Sequence, residues 1–468
     1  MTEASSPPHP GFVASAEEAR AFLAAHPHIQ FFEVFFTNMS GVPRGKRLRR
    51  HELMAVYDYG RFLPGSILVV DITGRDVEET GLVWEDGDAD RRARPVPGGI
   101  VPAPWLGEDV AQVATSLHEL DGTACELDPR VILSRVLDRF AADGLTPVVA
   151  CELEFYLVDA ERGPDGAVRL PLSELTGRRA EGTHVYGLPE IEDAAPFLRD
   201  LWQTCDAQNI PLEGVISECA PGQLELTLRH KADALRAADE AVFYKRAAKG
   251  VARRHGCEAT FMAKPWSDAA GSGLHLHVSI EDGSGANAFA SEDPAGTEML
   301  RHAIGGMKAL LAESMAIFAP HMNSFRRFRP NSYAPVAPTW GVNNRTVALR
   351  VPAGLPHTRH VEHRVAGADA NPYLALAALL AAVHHGITNR IDPGPPVTGD
   401  GYAAAREMGA SLPTNWFDAV ERFAGSAILR DYLGERFVDM FTTVKRTEQA
   451  RFFEVVSPLD HDWYLQSA

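Results

Sequence analysis

One short stretch of the chain, Cys151–Leu157, constrains the fold more than any other. Glutamate and tyrosine side chains alternate in it with apolar ones, which is the period-two pattern of a β-strand with one buried face. Glu152 and Glu154 therefore lie side by side on the same face of that strand. Two neighbouring carboxylates repel each other unless a cation or open solvent separates them. The strand thus predicts either a solvated sheet face or a cation-binding site.

Three other segments carry polar side chains on strand-like patterns, which favours the second alternative. They are Glu218–Glu225 with an acid at each end, Gly271–Ser279 with His275, His277 and Ser279 on one face, and Arg359–Arg364 with His360, Glu362 and Arg364 on one face. A single histidine pair of this kind is more often packed structure than a metal site. Together, however, the four segments supply five carboxylates and a histidine, enough for two oxygen-rich sites of the kind that Mg²⁺ or Mn²⁺ prefers.

The charge balance limits the partners of this chain. It has 45 Lys and Arg residues against 62 Asp and Glu residues, a formal net charge of −17. Nucleic-acid binding and attachment to anionic lipid both depend on clustered positive charge, so we expect neither. The most apolar stretch, Tyr373–Val383, is shorter than the roughly 20 residues of a membrane span. The cysteines are scattered and form no CxxC pair, which predicts a cytoplasmic protein. Residues 1–11 lack signal-peptide character and predict a short flexible tail.

The order of predicted elements indicates an α+β protein with two domains, 16–122 and 123–468. The boundary is placed before a helix whose start is marked by Asp128 as cap and Pro129 in the first turn. Strands and helices alternate after that boundary, which predicts a larger α/β domain.

The first domain is predicted to be a small α+β unit. A serine cap and early acids predict a helix at about 15–25, and apolar runs predict strands at 29–38 and 66–74. The stretch 86–104 is rich in Gly, Pro and Arg, so we expect a loop there.

Arginines supply the positive charge that complements the acidic segments. Arg327, Arg345, Arg350 and Arg364 all lie between residues 323 and 364, and an arginine fork binds carboxylate or phosphate with two parallel hydrogen bonds. The chain has no GxxxxGK[ST] motif and no GxGxxG after a strand, so a P-loop or Rossmann nucleotide site is not expected. A metal-dependent amidohydrolase would also use histidines and carboxylates but would not need these arginines.

Taken in order, these segments resemble the glutamine synthetase superfamily. The resemblance runs from about residue 16 to the C-terminus, with the motifs ELEF, ECAPGQLELT, KP at 264–265, GSGLHLHVS, NNRTVALRVP and VEHRVAGADANPYLALAALLA. It implies an N-terminal β-grasp domain followed by a larger glutamine synthetase catalytic α/β domain. It further implies a homo-oligomer, a dodecamer of two hexameric rings, with active sites between neighbouring subunits. The implied reaction transfers phosphate from ATP to the γ-carboxylate of glutamate, and an amine attacks the resulting γ-glutamyl phosphate.

The resemblance also implies a role for each site residue. Two or more divalent cations, Mg²⁺ or Mn²⁺, are expected, one on Glu154, Glu218 and Glu225 and another on Glu152, His275 and Glu362. Stabilisation of the transferred phosphoryl group falls to Arg345 and Arg364. Glutamate binding falls to Gly271, Arg327 and Arg364, and nucleotide binding to His277, Ser279, Arg350 and His360.

Two positions depart from the ammonia-using members of the family. Where those enzymes carry an aspartate in a DGSS stretch and a glutamate in a PGYEAP flap, this chain has Pro64 and Tyr333. Ammonium is bound by charge alone, so the loss of both carboxylates weakens its site, whereas an aromatic ring packs against the carbon or the ammonium group of a larger amine.

We therefore expect an ATP-dependent γ-glutamyl ligase that joins glutamate to a small organic amine such as a polyamine or ethanolamine. Its amine pocket is predicted to include Pro64 and Tyr333. The alternatives are a glutamine synthetase that uses ammonia and a catalytically inactive structural relative.

Overall fold

A computed structural model describes residues 12–164 and 166–468, and the tail predicted at 1–11 lies outside these residues. The strands are β1 Phe31–Thr37, β2 Pro43–Arg49, β3 Arg61–Pro64, β4 Asp90–Pro102, β5 Val110–His118, β6 Thr146–Asp159, β7 Leu212–Ser217, β8 Gln223–Leu228, β9 Cys257–Thr260, β10 Leu274–Glu281, β11 Trp340–Val342, β12 Leu349–Val351 and β13 Val361–His363.

The α-helices are α1 Ala16–Ala25, α2 Leu53–Tyr59, α3 Pro129–Ala142, α4 Leu188–Asp193, α5 Ala195–Ala207, α6 Ala234–Arg254, α7 Glu298–Leu310, α8 Met315–Phe318, α9 Pro372–Thr388, α10 Gly401–Met408, α11 Trp416–Ala424, α12 Ala427–Leu433, α13 Glu435–Phe453 and α14 Pro458–Tyr464. Short 3₁₀ helices are Arg50–Glu52, Gly65–Leu68, Glu78–Thr80, Pro104–Leu106, Met322–Arg327 and Pro356–Thr358. Within the described residues, no helix combines the length and apolar character needed to cross a membrane.

The first sheet has five strands in the order β2-β1-β5-β4-β3. Only β1 and β5 run parallel, and the other neighbours are antiparallel. Helix α1 begins where the Ser15 side chain accepts a hydrogen bond from the Glu18 amide, as the sequence predicted. Phe32 and Val34 of β1 belong to a small core with residues of α1 and α2, while Phe35 belongs to the main core. The first sheet is therefore covered by apolar contacts on both faces.

Two sequence predictions for this region are wrong. The apolar run 66–74, predicted as a strand, begins in a 3₁₀ helix and continues without regular structure. The stretch 86–104, predicted as a loop, contains the long strand β4. The β4–β5 register shifts between Pro95 and Ile100, so the Val-Pro-Gly-Gly residues between them leave the ladder, and Pro97 needs no ladder hydrogen bond there.

The second sheet has eight strands and carries the candidate site. Its order is β11-β12-β13-β10-β6-β8-β7, with β9 paired to the far end of β6. Helices α3 and α6 pack against β6, and α9 packs against α3, α6 and α7. Leu153 and Phe155 are fully buried on the helix-covered face, which leaves the glutamates of β6 on the opposite face. Two sheets with segregated helices confirm the α+β prediction.

Candidate active site

The strand register brings the predicted ligands onto one face of the second sheet. Facing pairs are Glu154 with Glu225, Glu152 with His275, and His277 with Glu362. Each strand was expected to present its polar residues on a common side, but only the pairing of β8, β6, β10 and β13 makes those sides continuous. The result is a band of acids and imidazoles across the middle of the sheet.

His275 lies at the centre of this band and is 6% exposed. Its Nδ1 atom is 2.7 Å from Oε1 of Glu152, 3.7 Å from Oε1 of Glu362 and 3.9 Å from Oε2 of Glu225. Its Nε2 atom is 3.8 Å from Oε1 of Glu154. A single imidazole thus connects four carboxylates that come from three strands, β6, β8 and β13.

The six predicted metal ligands lie close enough together to share divalent cations. Ligand atoms of Glu154, Glu218 and Glu225 lie within 4.8 Å of one another, and so do those of Glu152, Glu225 and His275. Glu362 extends the second group, because its Oε1 atom lies near His275. Carboxylate oxygens with one imidazole are the donor set that Mg²⁺ or Mn²⁺ favours, so the residues present fit these ions.

The pKa values of the acids indicate an excess of negative charge in the site. Burial, together with the charges of Glu152 and Glu154, raises the pKa of Glu225 to about 11. Burial and Glu154 also raise the pKa of Glu218. Burial alone would raise the pKa of Glu152 as well, but hydrogen bonds from His275 and its neighbouring histidine lower it well below its usual range. A divalent cation would neutralise this surplus.

Glu362 lies between two of the predicted arginines. Arg350 donates from Nη1 to Oε2 of Glu362 over 2.9 Å, and Arg364 donates from Nη1 to Oε1. Burial opposes ionisation, yet the charges of Arg364, His275 and His277 lower the pKa of Glu362 to about 2. The carboxylate therefore stays ionised and fixes the orientation of both guanidinium groups.

A cavity of about 260 Å³ opens beside the acidic band. Its walls include the predicted substrate residues Gly271, Arg327, Tyr333, Arg345 and Arg364. Arg327 donates to the carbonyl oxygens of residues 364, 365 and 366, which holds its guanidinium in the wall. Arg345 makes no hydrogen bond or ion pair with any residue that the structure describes, so its donors remain free for an anionic substrate.

Tyr333 borders the mouth of this cavity and is 59% exposed. Both Asn331 and Tyr333 have positive backbone φ angles, +60° and +57°, which residues other than glycine rarely adopt. Ser332 between them donates to the Arg329 carbonyl over 2.6 Å, and the Tyr402 hydroxyl donates to the Ala334 carbonyl over 3.1 Å. These hydrogen bonds stabilise the strained segment and keep the aromatic ring at the opening.

Of the two residues predicted for the amine pocket, Tyr333 lines the cavity of the single chain and Pro64 does not. Pro64 ends β3 at the edge of the first sheet, opposite Asp90. The contact of Pro64 with the amine therefore stays a prediction.

The residues predicted to bind nucleotide gather on β10 and beside β13. His277 and Ser279 are buried on β10, and His360 precedes β13 with its Nε2 atom 3.1 Å from Nδ1 of His277. His230 completes a triangle with them, its ring centroid 5.5 Å from that of His277 and 5.1 Å from that of His360. Burial and these two neighbours lower the pKa of His230 to about 4.

Several residues that line the cavity have no role predicted from the sequence. These are Val185, Tyr186, Cys219, Gln223, Ala270, Ser332 and Ala334. Gln223 donates from Nε2 to Oε2 of Glu154 over 3.2 Å and to the Gly271 carbonyl over 3.1 Å, so it orients a predicted ligand. Gln223 lies two residues before Glu225 on the same strand face, and this spacing could have predicted its place in the site.

Comparison with known proteins gives consistent results. The family described as glutamine synthetase, catalytic domain, matches residues 126–464. Gamma-glutamylputrescine synthetase PuuA of Escherichia coli is 37% identical over 97% of this chain and 96% of its own length. Gamma-glutamylethanolamide synthetase GlnA4 of Streptomyces coelicolor is 34% identical over 96% of this chain and 94% of its own. Among solved structures, the GmaS/ADP complex has a TM-score of 0.83 at 27% identity, covering 97% of this chain and 99% of that one.

Proposed function

Since this chain belongs to the glutamine synthetase family, we propose that it is an ATP-dependent γ-glutamyl ligase acting on an organic amine. The γ-carboxylate of glutamate is activated as γ-glutamyl phosphate, and the amine displaces the phosphate to form a γ-glutamylamide. The names of the two similar enzymes, a γ-glutamylputrescine and a γ-glutamylethanolamide synthetase, support an amine with a carbon chain. The substrates are therefore glutamate, ATP and a small organic amine.

The observation that carries this proposal is the composition of the cavity wall. The lining combines the acids Glu154, Glu218 and Glu225 with the exposed side chains of Val185, Tyr186 and Tyr333. The carboxylates are assigned to the divalent cations, while the aromatic and aliphatic side chains can bury carbon and an aromatic face can attract an ammonium group. Ammonia has no carbon to bury against these side chains, whereas a putrescine or ethanolamine molecule would pack its carbon chain on them.

The remaining chemistry follows from the charges in the cavity. Mg²⁺ or Mn²⁺ ions held by Glu152, Glu154, Glu218, Glu225, His275 and Glu362 would neutralise the phosphate oxygens of ATP. Arg345 has free donors and lines the cavity, so it binds the phosphoryl group as charge moves onto it. Arg327 and the Gly271 backbone bind glutamate. Arg364 binds both glutamate and the transferred phosphoryl group.

The nucleotide is assigned to His277, Ser279, Arg350 and His360. The proposal is supported by their position beside the metal ligands, since Arg350 donates to Glu362 and His277 pairs with it across the sheet. ATP bound there presents its terminal phosphate to the acidic band and to the cavity beyond it.

We assign residues 16–122 and 123–468 to an N-terminal β-grasp domain and a catalytic domain, because the first sheet ends at His118 and the second begins at Thr146. A homo-oligomer of two hexameric rings would bring Pro64 of a neighbouring subunit to the amine pocket. Exposed apolar side chains at the C-terminal end support association, among them Val455, Trp463 and Leu465 at 61–76% exposure. The five cysteines are free, which suits the reducing cytoplasm.

The decisive experiment measures ADP release by the full chain with ATP, Mg²⁺ and glutamate. Ammonia, ethanolamine, putrescine, spermine and simple alkylamines are compared as the final substrate. We expect turnover with at least one organic amine to exceed that with ammonia clearly. Ammonia as the best substrate would instead establish a glutamine synthetase, and no turnover with any amine would establish an inactive relative.

A further inference from the structure

A triangle of histidines lies on the nucleotide side of the acidic band. His230 follows the end of β8, His277 lies on β10, and His360 precedes β13. The centroids of the three rings are 5.1 to 5.5 Å apart, and one nitrogen atom of each ring lies within 4.8 Å of the other two. None of the three was expected to bind a metal ion.

The hydrogen bonds of His360 fix which of its nitrogens is available. Its Nδ1 atom lies 2.8 Å from the carbonyl oxygen of Thr358, which accepts only from an N–H group. The lone pair of His360 is therefore on Nε2, the atom that faces His277. A backbone carbonyl that holds the far nitrogen of an imidazole is the usual support for a metal-binding histidine.

In His277, the nitrogen that points away from His360 faces a carboxylate instead of a backbone carbonyl. Its Nε2 atom lies 3.5 Å from Oε2 of Glu152, and its Nδ1 atom lies 3.1 Å from Nε2 of His360. The Nδ1 atom of His277 thus faces the lone pair on Nε2 of His360, so either a proton in a hydrogen bond or a metal ion lies between the two nitrogens. Two nitrogens bound to one tetrahedral Zn²⁺ are about 3.3 Å apart, given Zn–N bonds of about 2.0–2.1 Å. The observed separation matches that spacing.

His230 supplies the third ring. It makes no hydrogen bond with any residue in the described part of the chain, and it is exposed on the solvent side of the triangle. The next residue is held by two backbone hydrogen bonds of 2.9 Å between Val149 and Lys231, so the position of His230 beside β6 is fixed. A ring with both nitrogens free and a fixed backbone is suited to complete a site that stays open to solvent.

We propose that His230, His277 and His360 form a three-histidine site for a borderline divalent transition metal such as Zn²⁺, and that this metal competes with nucleotide. Three imidazoles favour Zn²⁺ over Mg²⁺, which prefers oxygen ligands, so the triangle and the acidic band select different ions. The competition rests on the proposed function, which assigns His277 and His360 to nucleotide binding. A metal that occupies their nitrogens removes those contacts.

Metal binding is tested on the chelator-treated full chain in excess Mg²⁺, before any substrate is added. Zn²⁺ is titrated by calorimetry, and Co²⁺ serves as an optical probe of nitrogen coordination. We expect His230→Ala and His230→Phe each to weaken Zn²⁺ binding about tenfold or more, since even the loss of an outer partner of a ligand costs that much. His357→Ala is the matched control, because His357 is exposed and only three residues from His360.

The outcomes separate the parts of the proposal. Wild-type affinity for Zn²⁺ in both His230 variants would overturn the metal site, and so would equal losses in the His357 control. Weaker ATP binding in these variants without any change in Zn²⁺ binding would make the triangle a nucleotide contact only. If saturating Zn²⁺ leaves the ATP affinity of the wild type unchanged, the competition is overturned. Amine-dependent ADP release without Zn²⁺ reports separately on the ligase function.

Discussion

The Nδ1 atom of His275 lies 2.7 Å from Oε1 of Glu152, the residue directly opposite on the neighbouring strand. This pair occupies the middle of the acidic band, and carboxylates from β6, β8 and β13 surround it within 4 Å. A histidine among acids satisfies only part of their charge. The relationship explains why the site combines an acid of very low pKa with another of very high pKa, and why cations should govern both activity and stability.

Removing the charge of Glu154 should abolish turnover with every amine. Glu154 accepts hydrogen bonds from the Gly273 amide over 2.8 Å and from Gln223 over 3.2 Å, so Glu154→Gln keeps the shape and one acceptor while it removes a metal ligand. We expect ADP release to fall about 100-fold or more. The control is Glu213→Gln on β7, a surface acid paired with Arg229. Near-normal ADP release by Glu154→Gln would contradict the metal assignment.

Divalent cations should stabilise the folded chain, and Glu225 should report the effect. At about 100 times its dissociation constant a cation adds about 2.7 kcal/mol to the free energy of unfolding, measured as a rise in Tm. Glu225→Gln imitates the protonated acid that a pKa of about 11 implies. The variant should therefore be at least as stable as the wild type in chelator, yet gain less from Mn²⁺. An equal gain in both proteins would exclude Glu225 as a ligand.

His363 should make the metal-free protein sensitive to acid. Burial, then the charges of His275 and Arg327, lowers its pKa from 6.5 to about 3. Below pH 6.5 the unfolded chain binds a proton that the folded chain refuses, so stability is complete above pH 6.5 and falls as the pH drops towards 3. The loss over that interval is about 5 kcal/mol.

The measurement for His363 compares urea unfolding of wild type and His363→Phe in chelator at several pH values. The aromatic replacement keeps the ring that packs 4.3 Å from Phe318. We expect the difference in unfolding free energy between the two proteins to shift in favour of the variant as the pH falls below 6.5. Parallel pH profiles would show that His363 does not titrate in this way.

Tyr333 should decide how the enzyme distinguishes amines from ammonia. Tyr333→Ala removes the ring at the cavity mouth but retains a side chain at the same positive φ angle of 57°. We expect kcat/KM for the preferred organic amine to fall about tenfold, in line with burial energies of roughly 1.5 kcal/mol for part of an aromatic contact. The KM for glutamate should hardly change. Tyr59→Ala, at a tyrosine 70% exposed on α2, is the control. Equal losses for ammonia and the organic amine would remove Tyr333 from the amine pocket.

How far the sequence predicts this structure depends on the range of the interaction. Alternation within a strand is local, and it correctly placed Glu152 and Glu154 on the face opposite Leu153 and Phe155, which are fully buried. The pairing of Glu154 with Glu225 spans about 70 residues of sequence and follows from sheet register, which no local pattern determines. The sequence therefore predicted the ligands but not their distances.

The errors have equally physical causes. Strand β4 was expected to be loop because the stretch 86–104 is rich in Gly, Pro and Arg, whereas the fold accommodates its Val-Pro-Gly-Gly segment in a register shift. His230 received no role in the sequence analysis, and continued alternation from the buried Leu224, Leu226 and Leu228 would place residue 230 inward as well. The strand ends at Leu228, and the chain turns the histidine towards the site instead.

Arg345 should contribute to the chemical step more than to binding. It lines the cavity without a partner among the described residues, whereas Arg350 and Arg364 both bind Glu362. A free guanidinium is best placed to stabilise charge that develops only during phosphoryl transfer. Arg345→Met should lower kcat about 100-fold or more in the ADP-release assay and leave the KM for glutamate within about threefold of the wild type. Arg326→Met, at an exposed arginine outside the cavity, should match the wild type. A rise in the KM for glutamate without a fall in kcat would assign Arg345 to substrate binding rather than to the transition state.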